Sequence, residues 1–181
     1  MAISEFALKA SNRTLAAYSI GDIYHINMGP ANFTATWMPQ AVELRQIAGL
    51  YELNERELIC VDMGNPHLVI INNNLSLADK KTIGSALEHH SYFPQGVNVN
   101  FVEIIAKNIN LKVWERGVSE FTNACGSGAC ASFAASHKLG FVDHKAQVNF
   151  KRGALTINIQ DNDIIMAGPA ELVFEGVYYY E

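Results

Sequence analysis

The fold of this chain depends most directly on residues 115–140, which read ERGVSEFTNACGSGACASFAASHKLG. The second half of this stretch is rich in alanine and serine, and it predicts a helix that begins at Ser127 or Gly128 and continues through Leu139. Gly140 is the expected residue at its C-terminal cap. Because small side chains line the helix, we expect other backbone to pack closely against it. This pattern is typical of a central helix wrapped by strands.

Cys125 immediately precedes this helix and is flanked by small and polar residues. Unpaired backbone N–H groups and the positive end of the helix dipole favour a thiolate there, so we expect a lowered thiol pKa. The same amides can hold a carboxylate. A buried structural cysteine is the alternative, and it is the better interpretation for Cys130, which lies among alanines inside the helix. We therefore predict that Cys125 is an acid/base cysteine beside an anion site.

The composition of the chain excludes several classes of protein. Of its 181 residues, 49% are hydrophobic and 17% are charged, which indicates one folded domain or two small ones. A net charge of -5 without a basic cluster argues against a nucleic-acid partner. We expect no secretory signal and no membrane span, because the apolar runs are short and interrupted. Three cysteines without paired spacing and scattered histidines predict a cytoplasmic protein with reduced thiols and no metal.

Short apolar segments separated by Gly, Asn and Asp predict an α+β fold with many strands. A second helix is predicted to begin after Ser76, with Asp79 completing a partial capping box, and to run through Lys80–Glu88. The stretch Thr36–Asn54 is compatible with a helix that has Pro39 in its first turn, and equally with an irregular excursion. The predicted strands are Thr14–Ile20, Asp22–Met28, Glu57–Asp62, Leu68–Ile71, Val97–Ala106, Leu111–Glu115, Ala146–Phe150, Leu155–Ile159 and Glu171–Tyr179.

A charged pair, Glu115 and Arg116, ends one of these strands. A carboxylate near Cys125 is able to accept its proton or to set its pKa, and a guanidinium is able to bind a carboxylate with two hydrogen bonds. An ordinary solvated ion pair is equally compatible with the spacing. The pair is therefore a candidate for the site and not an assignment.

His67 enters a strand directly after the turn-forming residues Gly64, Asn65 and Pro66. A histidine in this place is a reasonable general base, because its ordinary pKa is near neutrality, although the segment could also be a turn without chemistry. Farther along the chain, Asn98 and Asn100 share one face of an apolar strand. We expect one of them to contact a ligand and the other to be a hydrogen-bonded core amide.

Several motifs together resemble those of the diaminopimelate epimerase family. The matching segments, in the family's order, are Asn27–Pro30, Met63–His67, Val97–Asn98, Glu115–Gly117, Ala124–Cys130, Gly168–Ala170 and Val173–Gly176. The cysteine motif is highly specific, and the matches extend from about Ile26 to Gly176. The resemblance implies one half of the family's fold, in which mostly antiparallel strands wrap a central helix at about residues 128–139.

The resemblance also implies a cofactor-independent isomerase that interconverts LL- and meso-diaminopimelate in lysine and peptidoglycan precursor biosynthesis. One thiolate removes the α-proton, and a second thiol on the opposite face delivers another. Cys125 matches one of these cysteines with Glu115 as its partner, and His67 matches the histidine that pairs with the other cysteine. The residues implied to bind substrate are Asn65, Asn98 and Arg116 at the distal amino-acid group and the backbone of Gly126 and Ser127 at the reacting carboxylate.

The chain departs from the family pattern in two respects. Ser119 and Phe121 stand where the family usually has Gly and Thr. The family's N-terminal domain carries the first cysteine in a Cys-Gly-Asn-Gly motif, and that domain has no counterpart in this sequence. Cys60 does not replace it, since Cys60 lies inside a predicted strand without glycine neighbours. A two-base reaction with a single thiol is not expected to proceed.

These features predict three parts of the chain and three possible arrangements. We expect residues 1–27 to be a remnant of the linker or N-terminal-domain edge, residues 28–172 to form the C-terminal epimerase domain, and residues 173–181 to form a terminal strand that packs on the missing domain. The chain could act with a separate N-terminal half. It could also act as a homodimer, in which two Cys125 thiols serve an amino-acid racemase. The third arrangement is a non-catalytic remnant that binds an amino acid or a protein partner.

Overall fold

The computed structural model describes residues 3–10 and 13–179. Within these residues the chain forms three α-helices and one mixed sheet of eleven strands, which confirms the predicted α+β class. The strands are β1 (Ile3–Ala10), β2 (Arg13–Ile20), β3 (Ile23–Asn27), β4 (Leu58–Asp62), β5 (Pro66–Ile71), β6 (Asn98–Ile105), β7 (Asn108–Glu115), β8 (Glu120–Thr122), β9 (Lys145–Phe150), β10 (Gly153–Gln160) and β11 (Asp163–Pro169). The helices are α1 (Ala41–Leu50), α2 (Leu77–Glu88) and α3 (Gly126–Lys138), with a short 3-10 helix at Glu55–Glu57.

The sheet curls around α3. Its strand order is β1-β2-β3-β11-β10-β9-β7-β6-β5-β4, and β8 pairs with β7 outside this path. Neighbouring strands are antiparallel except for the parallel pairs β5–β6 and β7–β9. Asn32, which follows β3, exchanges two backbone hydrogen bonds with Asp62 at the end of β4. This bridge connects the far edge of the sheet to the segment after β3, so the strands enclose the helix.

The helix α3 can be enclosed because its side chains are small. Every residue from Ala129 to Ser136 is buried, and strands β4–β7 and β9–β11 all contact this helix. Phe133 is the one large side chain in that run, and it packs among apolar residues of the surrounding strands such as Val61 and Ile157. The predicted central helix is therefore confirmed. None of the helices within residues 3–10 and 13–179 has the length and hydropathy needed to cross a membrane.

Helices α1 and α2 cover the outer face of strands β4–β7 and form a second apolar layer. Strand alternation separates the two layers, since Trp114 packs toward α2 while its neighbour Val113 packs toward α3. Ser76 and Asp79 form the capping box predicted for α2. Gly84 allows α2 to approach the sheet, because a Cβ atom there would lie 2.7 Å from Cγ of Trp114.

One predicted strand is wrong. Residues 170–179 have no regular structure, although Glu171–Tyr179 has the apolar composition of a strand. Leu172, Val173 and Phe174 are each at least 80% exposed. An apolar segment becomes a strand only when a neighbouring strand pairs with it. Within the described residues, no strand pairs with this segment. The strand predicted for residues 173–181 is therefore absent over 173–179, and residues 180–181 lie outside the described residues.

The other eight predicted strands are confirmed, and the ambiguous stretch Thr36–Asn54 contains α1. Gln40 is the N-cap of α1, so Pro39 precedes the cap and does not occupy the first turn. Sequence analysis did not identify β1, β8 and β11. The boundaries predicted at residues 27/28 and 172/173 stay predictions, and residues 1, 2, 11 and 12 lie outside the described residues.

The close approach of Gly84 to Trp114 predicts that alanine at position 84 destabilises the protein, although alanine usually stabilises a helix. Glycine to alanine in a helix normally stabilises by about 0.5–1 kcal/mol. We expect Gly84→Ala to lower the free energy of unfolding by about 1–3 kcal/mol, because Trp114 would have to move. Gly49→Ala in α1 is the matched control and should be neutral or stabilising, since no atom lies within 4 Å of the added Cβ. Urea denaturation measures both, and a stabilising Gly84→Ala would contradict the packing described.

Candidate active site

Cys125 is the N-cap residue of α3. Its Sγ accepts a hydrogen bond from the backbone N–H of Gly128 at 3.4 Å and lies 3.7 Å from Oγ of Ser127. A larger residue at position 128 would crowd this arrangement, because a Cβ there would lie 3.1 Å from Sγ of Cys125 and 3.0 Å from Cγ2 of Val113. The first N–H groups of a helix, those of Gly126 and Ser127, have no intrahelical acceptor. The half-buried Cys125 thiol thus lies beside two backbone N–H groups that have no acceptor within the helix.

The expected lowering of the Cys125 pKa is wrong. Burial raises the pKa of this thiol, and the nearby charge of Glu115 acts in the same direction. The Gly128 N–H and the Ser127 hydroxyl lower it, as expected for a helix start, but they do not outweigh the loss of solvation. Burial raises the pKa of both Cys60 and Cys130 to about 12. Of the three cysteines, Cys125 is the one that is not fully buried.

His67 lies at the start of β5 and reaches the same helix terminus. Its Nε2 is 3.1 Å from Oγ of Ser127 and 3.1 Å from Oδ1 of Asn65. Nδ2 of Asn65 donates to the same Ser127 oxygen at 3.3 Å. Burial lowers the pKa of His67 to about 4, so the imidazole is neutral at physiological pH. The structure therefore joins these three residues and Cys125 in one hydrogen-bonded cluster.

Asn98 and Asn100 are both buried and both hydrogen-bonded. Asn98 accepts the backbone N–H of Arg116 at 3.0 Å and donates to the carbonyl of Pro66 at 2.8 Å. Its amide thus connects the segment carrying His67 to the turn carrying Arg116. The Asn100 amide lies against Nδ1 of His67, a contact that sequence analysis did not identify.

A buried carboxylate, Glu88, supports the turn that follows β7, and sequence analysis recognised it only as the end of a helix. It accepts the backbone N–H of Gly117 and the indole N–H of Trp114, each at 2.8 Å. Burial raises the pKa of Glu88, but these bonds and the Ser119 hydroxyl outweigh it and hold that pKa below its usual value. Arg116 in the same turn donates from Nη1 to the Gln95 carbonyl at 3.0 Å.

The two departures from the family pattern lie on the α2 side of this turn. Ser119 adopts a φ of 55°, the left-handed region in which glycine is favoured, and its hydroxyl lowers the pKa of Glu88. Phe121 packs edge-on against Trp114 with ring centroids 5.3 Å apart. Both residues therefore support the turn and make these contacts away from Cys125. Within residues 3–10 and 13–179, no group of three His, Cys, Asp or Glu side chains is arranged to hold a metal ion.

Known proteins similar in sequence to this chain belong to one family. A sequence model described as diaminopimelate epimerase matches residues 59–173. Diaminopimelate epimerases of Rickettsia akari and Rickettsia bellii are 49% and 48% identical over 156 residues, which are 86% of this chain and 57% of each relative. The chain therefore spans little more than half the length of these relatives.

A solved structure from Pseudomonas aeruginosa, described as a predicted epimerase, has the same fold. It superimposes with a TM-score of 0.67 at 16% identity, over 96% of this chain and 68% of that one. At this identity the likeness shows the fold alone, while the sequence matches show the family. The chain belongs to the diaminopimelate epimerase family.

Proposed function

We propose that this chain supplies one face of a cytoplasmic diaminopimelate epimerase, an isomerase that interconverts LL- and meso-diaminopimelate without a cofactor. The observation that carries the proposal is the position of Cys125, a half-buried thiol beside the first N–H groups of α3. Cys60 and Cys130 are fully buried and cannot serve as the second thiol. That thiol comes from a segment outside this chain, which corresponds to the remaining length of the Rickettsia relatives.

In the proposed reaction the Cys125 thiolate removes the α-proton from one face of the substrate. The electron pair of the broken C–H bond stays on the α-carbon and is delocalised into the carboxylate, which the N–H groups of Gly126 and Ser127 bind. The second thiol donates its proton to the opposite face and becomes a thiolate. Stereochemistry is inverted with no net oxidation, and in the reverse direction the two sulfurs exchange roles.

The remaining predicted site residues have supporting roles in the proposal. Glu115 sets the protonation of Cys125, since its charge already affects that thiol. Asn65, Asn98 and Arg116 bind the distal amino-acid group, and the hydrogen bond that the Arg116 backbone N–H donates to Asn98 supports this placement. The family pattern assigns His67 to the thiol on the opposite face, whereas its ring nitrogens in this chain contact Asn100, Asn65 and Ser127. A guanidinium and an amide suit a carboxylate and an ammonium group, which the distal end of diaminopimelate carries.

The proposal is tested by adding the portion of a relative that has no match in this chain. We expect this chain, mixed with the unmatched N-terminal portion of the Rickettsia akari relative, to incorporate deuterium from D2O at the α-carbon of diaminopimelate, as measured by NMR. Cys125→Ala should abolish exchange by removing the base. Cys60→Ala is the control for loss of a thiol and should retain exchange, provided both variants stay folded by circular dichroism.

The homodimer and the non-catalytic remnant would each give a different result in the same experiment. Absence of exchange in the complemented mixture would contradict the proposal. Exchange by this chain alone, increasing with the square of its concentration, would indicate a homodimer with two Cys125 thiols. Calorimetric binding of diaminopimelate without exchange would indicate a non-catalytic remnant.

The neutral state of His67 predicts how stability depends on pH. The pKa of His67 falls from 6.5 to about 4 on folding, so the unfolded chain binds more protons in this range. The free energy of unfolding should therefore decrease as the pH falls, by on the order of 2 kcal/mol from pH 6.5 to pH 5. Denaturant titrations at several pH values measure this slope. His67→Gln should largely remove it, whereas the exposed control His144→Gln should retain it.

A further inference from the structure

We propose that Asn100 is a positioning residue that selects the tautomer of His67 with the proton on Nε2. In this tautomer the Ser127 hydroxyl is left free to donate to the Cys125 thiolate. A chain of hydrogen bonds, all donated in one direction, then runs from Asn100 to the reactive sulfur. The inference deepens the proposed function, on which its catalytic meaning rests, but the hydrogen bonds themselves can be tested without substrate.

The orientation of the Asn100 amide is determined by a backbone carbonyl. Nδ2 of Asn100 lies 3.4 Å from the Gly128 oxygen, which can only accept a hydrogen bond. The reversed amide would place two oxygen atoms against each other. In the observed orientation Nδ2 is 3.2 Å from Nδ1 of His67, while Oδ1 is 3.4 Å away. Nδ2 is the nearer of the two amide atoms to Nδ1 and carries two hydrogens, so in the proposed arrangement it donates one to Gly128 and one to Nδ1, which then carries no proton.

The contacts at the other end of His67 are consistent with the same tautomer. Nε2 lies 3.1 Å from Oδ1 of Asn65, and that oxygen can only accept. The Asn65 amide is oriented in turn by its Nδ2, which donates to Oγ of Ser127 at 3.3 Å. The Gly128 carbonyl at the Asn100 end therefore decides the tautomer, and the orientation of Asn65 is consistent with it. Because His67 is fully buried, these partners determine the tautomer in place of water.

In this tautomer the Ser127 oxygen accepts two hydrogen bonds. This oxygen faces Nε2 of His67 at 3.1 Å and Nδ2 of Asn65 at 3.3 Å, both of which donate. The hydroxyl proton is then directed to another acceptor, and Sγ of Cys125 lies 3.7 Å away. With the Gly128 N–H, the thiolate has two donors. In the opposite tautomer Nε2 would take the hydroxyl proton, and Cys125 would lose one donor.

The charges around this chain of bonds are few. The charge of Asp62 raises the pKa of His67, and the charge of Arg116 lowers it. The charge of Glu115 raises the pKa of Cys125 and so disfavours its thiolate. The donors offset part of the burial and repulsion that disfavour the thiolate. Asn100, which has no contact with Cys125 among its hydrogen bonds, influences the sulfur through two intermediate side chains.

The tautomer is observed directly by NMR of the chain labelled with 15N-histidine. Long-range correlations at neutral pH should show a protonated Nε2 and an unprotonated Nδ1 for His67, and loss of these signals in His67→Gln assigns them. A proton on Nδ1 would overturn the proposal. This measurement uses the unmodified site, so it remains decisive if a variant fails to fold.

The link to the thiol is measured by the pH dependence of Cys125 alkylation, located by mass spectrometry. We expect Ser127→Ala to raise the apparent pKa of Cys125 and to slow alkylation at neutral pH about 3- to 10-fold, since one pKa unit corresponds to about a tenfold change in thiolate. Asn100→Ala should shift the profile in the same direction. The double variant should shift little more than Ser127→Ala alone, because both act through one hydroxyl.

Asn110→Ala is the matched control, because it removes a side-chain hydrogen bond to Asn149 on another part of the sheet. Its alkylation profile should be unchanged. An unchanged profile in Asn100→Ala, or additive shifts in the double variant, would overturn the inference. If thiol titration and NMR agree with it while the complemented enzyme shows no α-proton exchange, the proposed function alone fails.

Discussion

The close approach of seven strands to α3 is the constraint on which the rest of the structure depends. It is possible because alanine, serine and glycine occupy nearly all of the buried positions between Gly128 and Ser136. A larger side chain at several of these positions would separate the sheet from the helix. The same packing places the helix N-terminus beside the start of β5 and the end of β7, where Cys125, His67 and Glu115 lie.

Enclosure of the helix has opposing effects on the Cys125 thiol. It orders the donors around Cys125, and it also removes the sulfur from water, which disfavours the thiolate. The result is a thiol whose pKa is raised despite its position at a helix N-terminus. In the proposed reaction a raised thiol pKa is an advantage, since a more basic sulfur accepts the α-proton more readily. The donors from Gly128 and Ser127 then limit how far the pKa rises.

The second layer of helices supports the site from outside. Glu88 at the end of α2 accepts the Gly117 N–H, and its backbone carbonyl accepts the Val97 N–H just before β6. One residue thus connects the turn after β7 to the strand that carries Asn98. Its carboxylate was not recognised in the sequence, because a glutamate at the end of a helix usually faces solvent. Only the surrounding donors make its burial favourable.

Local patterns were sufficient to identify the fold class, the helices α2 and α3, eight strands and the position of Cys125 at the start of α3, because alternation, small-residue composition and capping residues act over a few neighbours. Long-range contacts were required for the remaining features. The apolar segment 171–179 forms no strand because no strand in the described part of the chain pairs with it. The hydrogen bond between His67 and Ser127 joins residues 60 positions apart, and the raised pKa of Cys125 depends on which groups burial separates from water. No pattern within a short window of sequence contains that information, since solvation and pairing are properties of the folded chain.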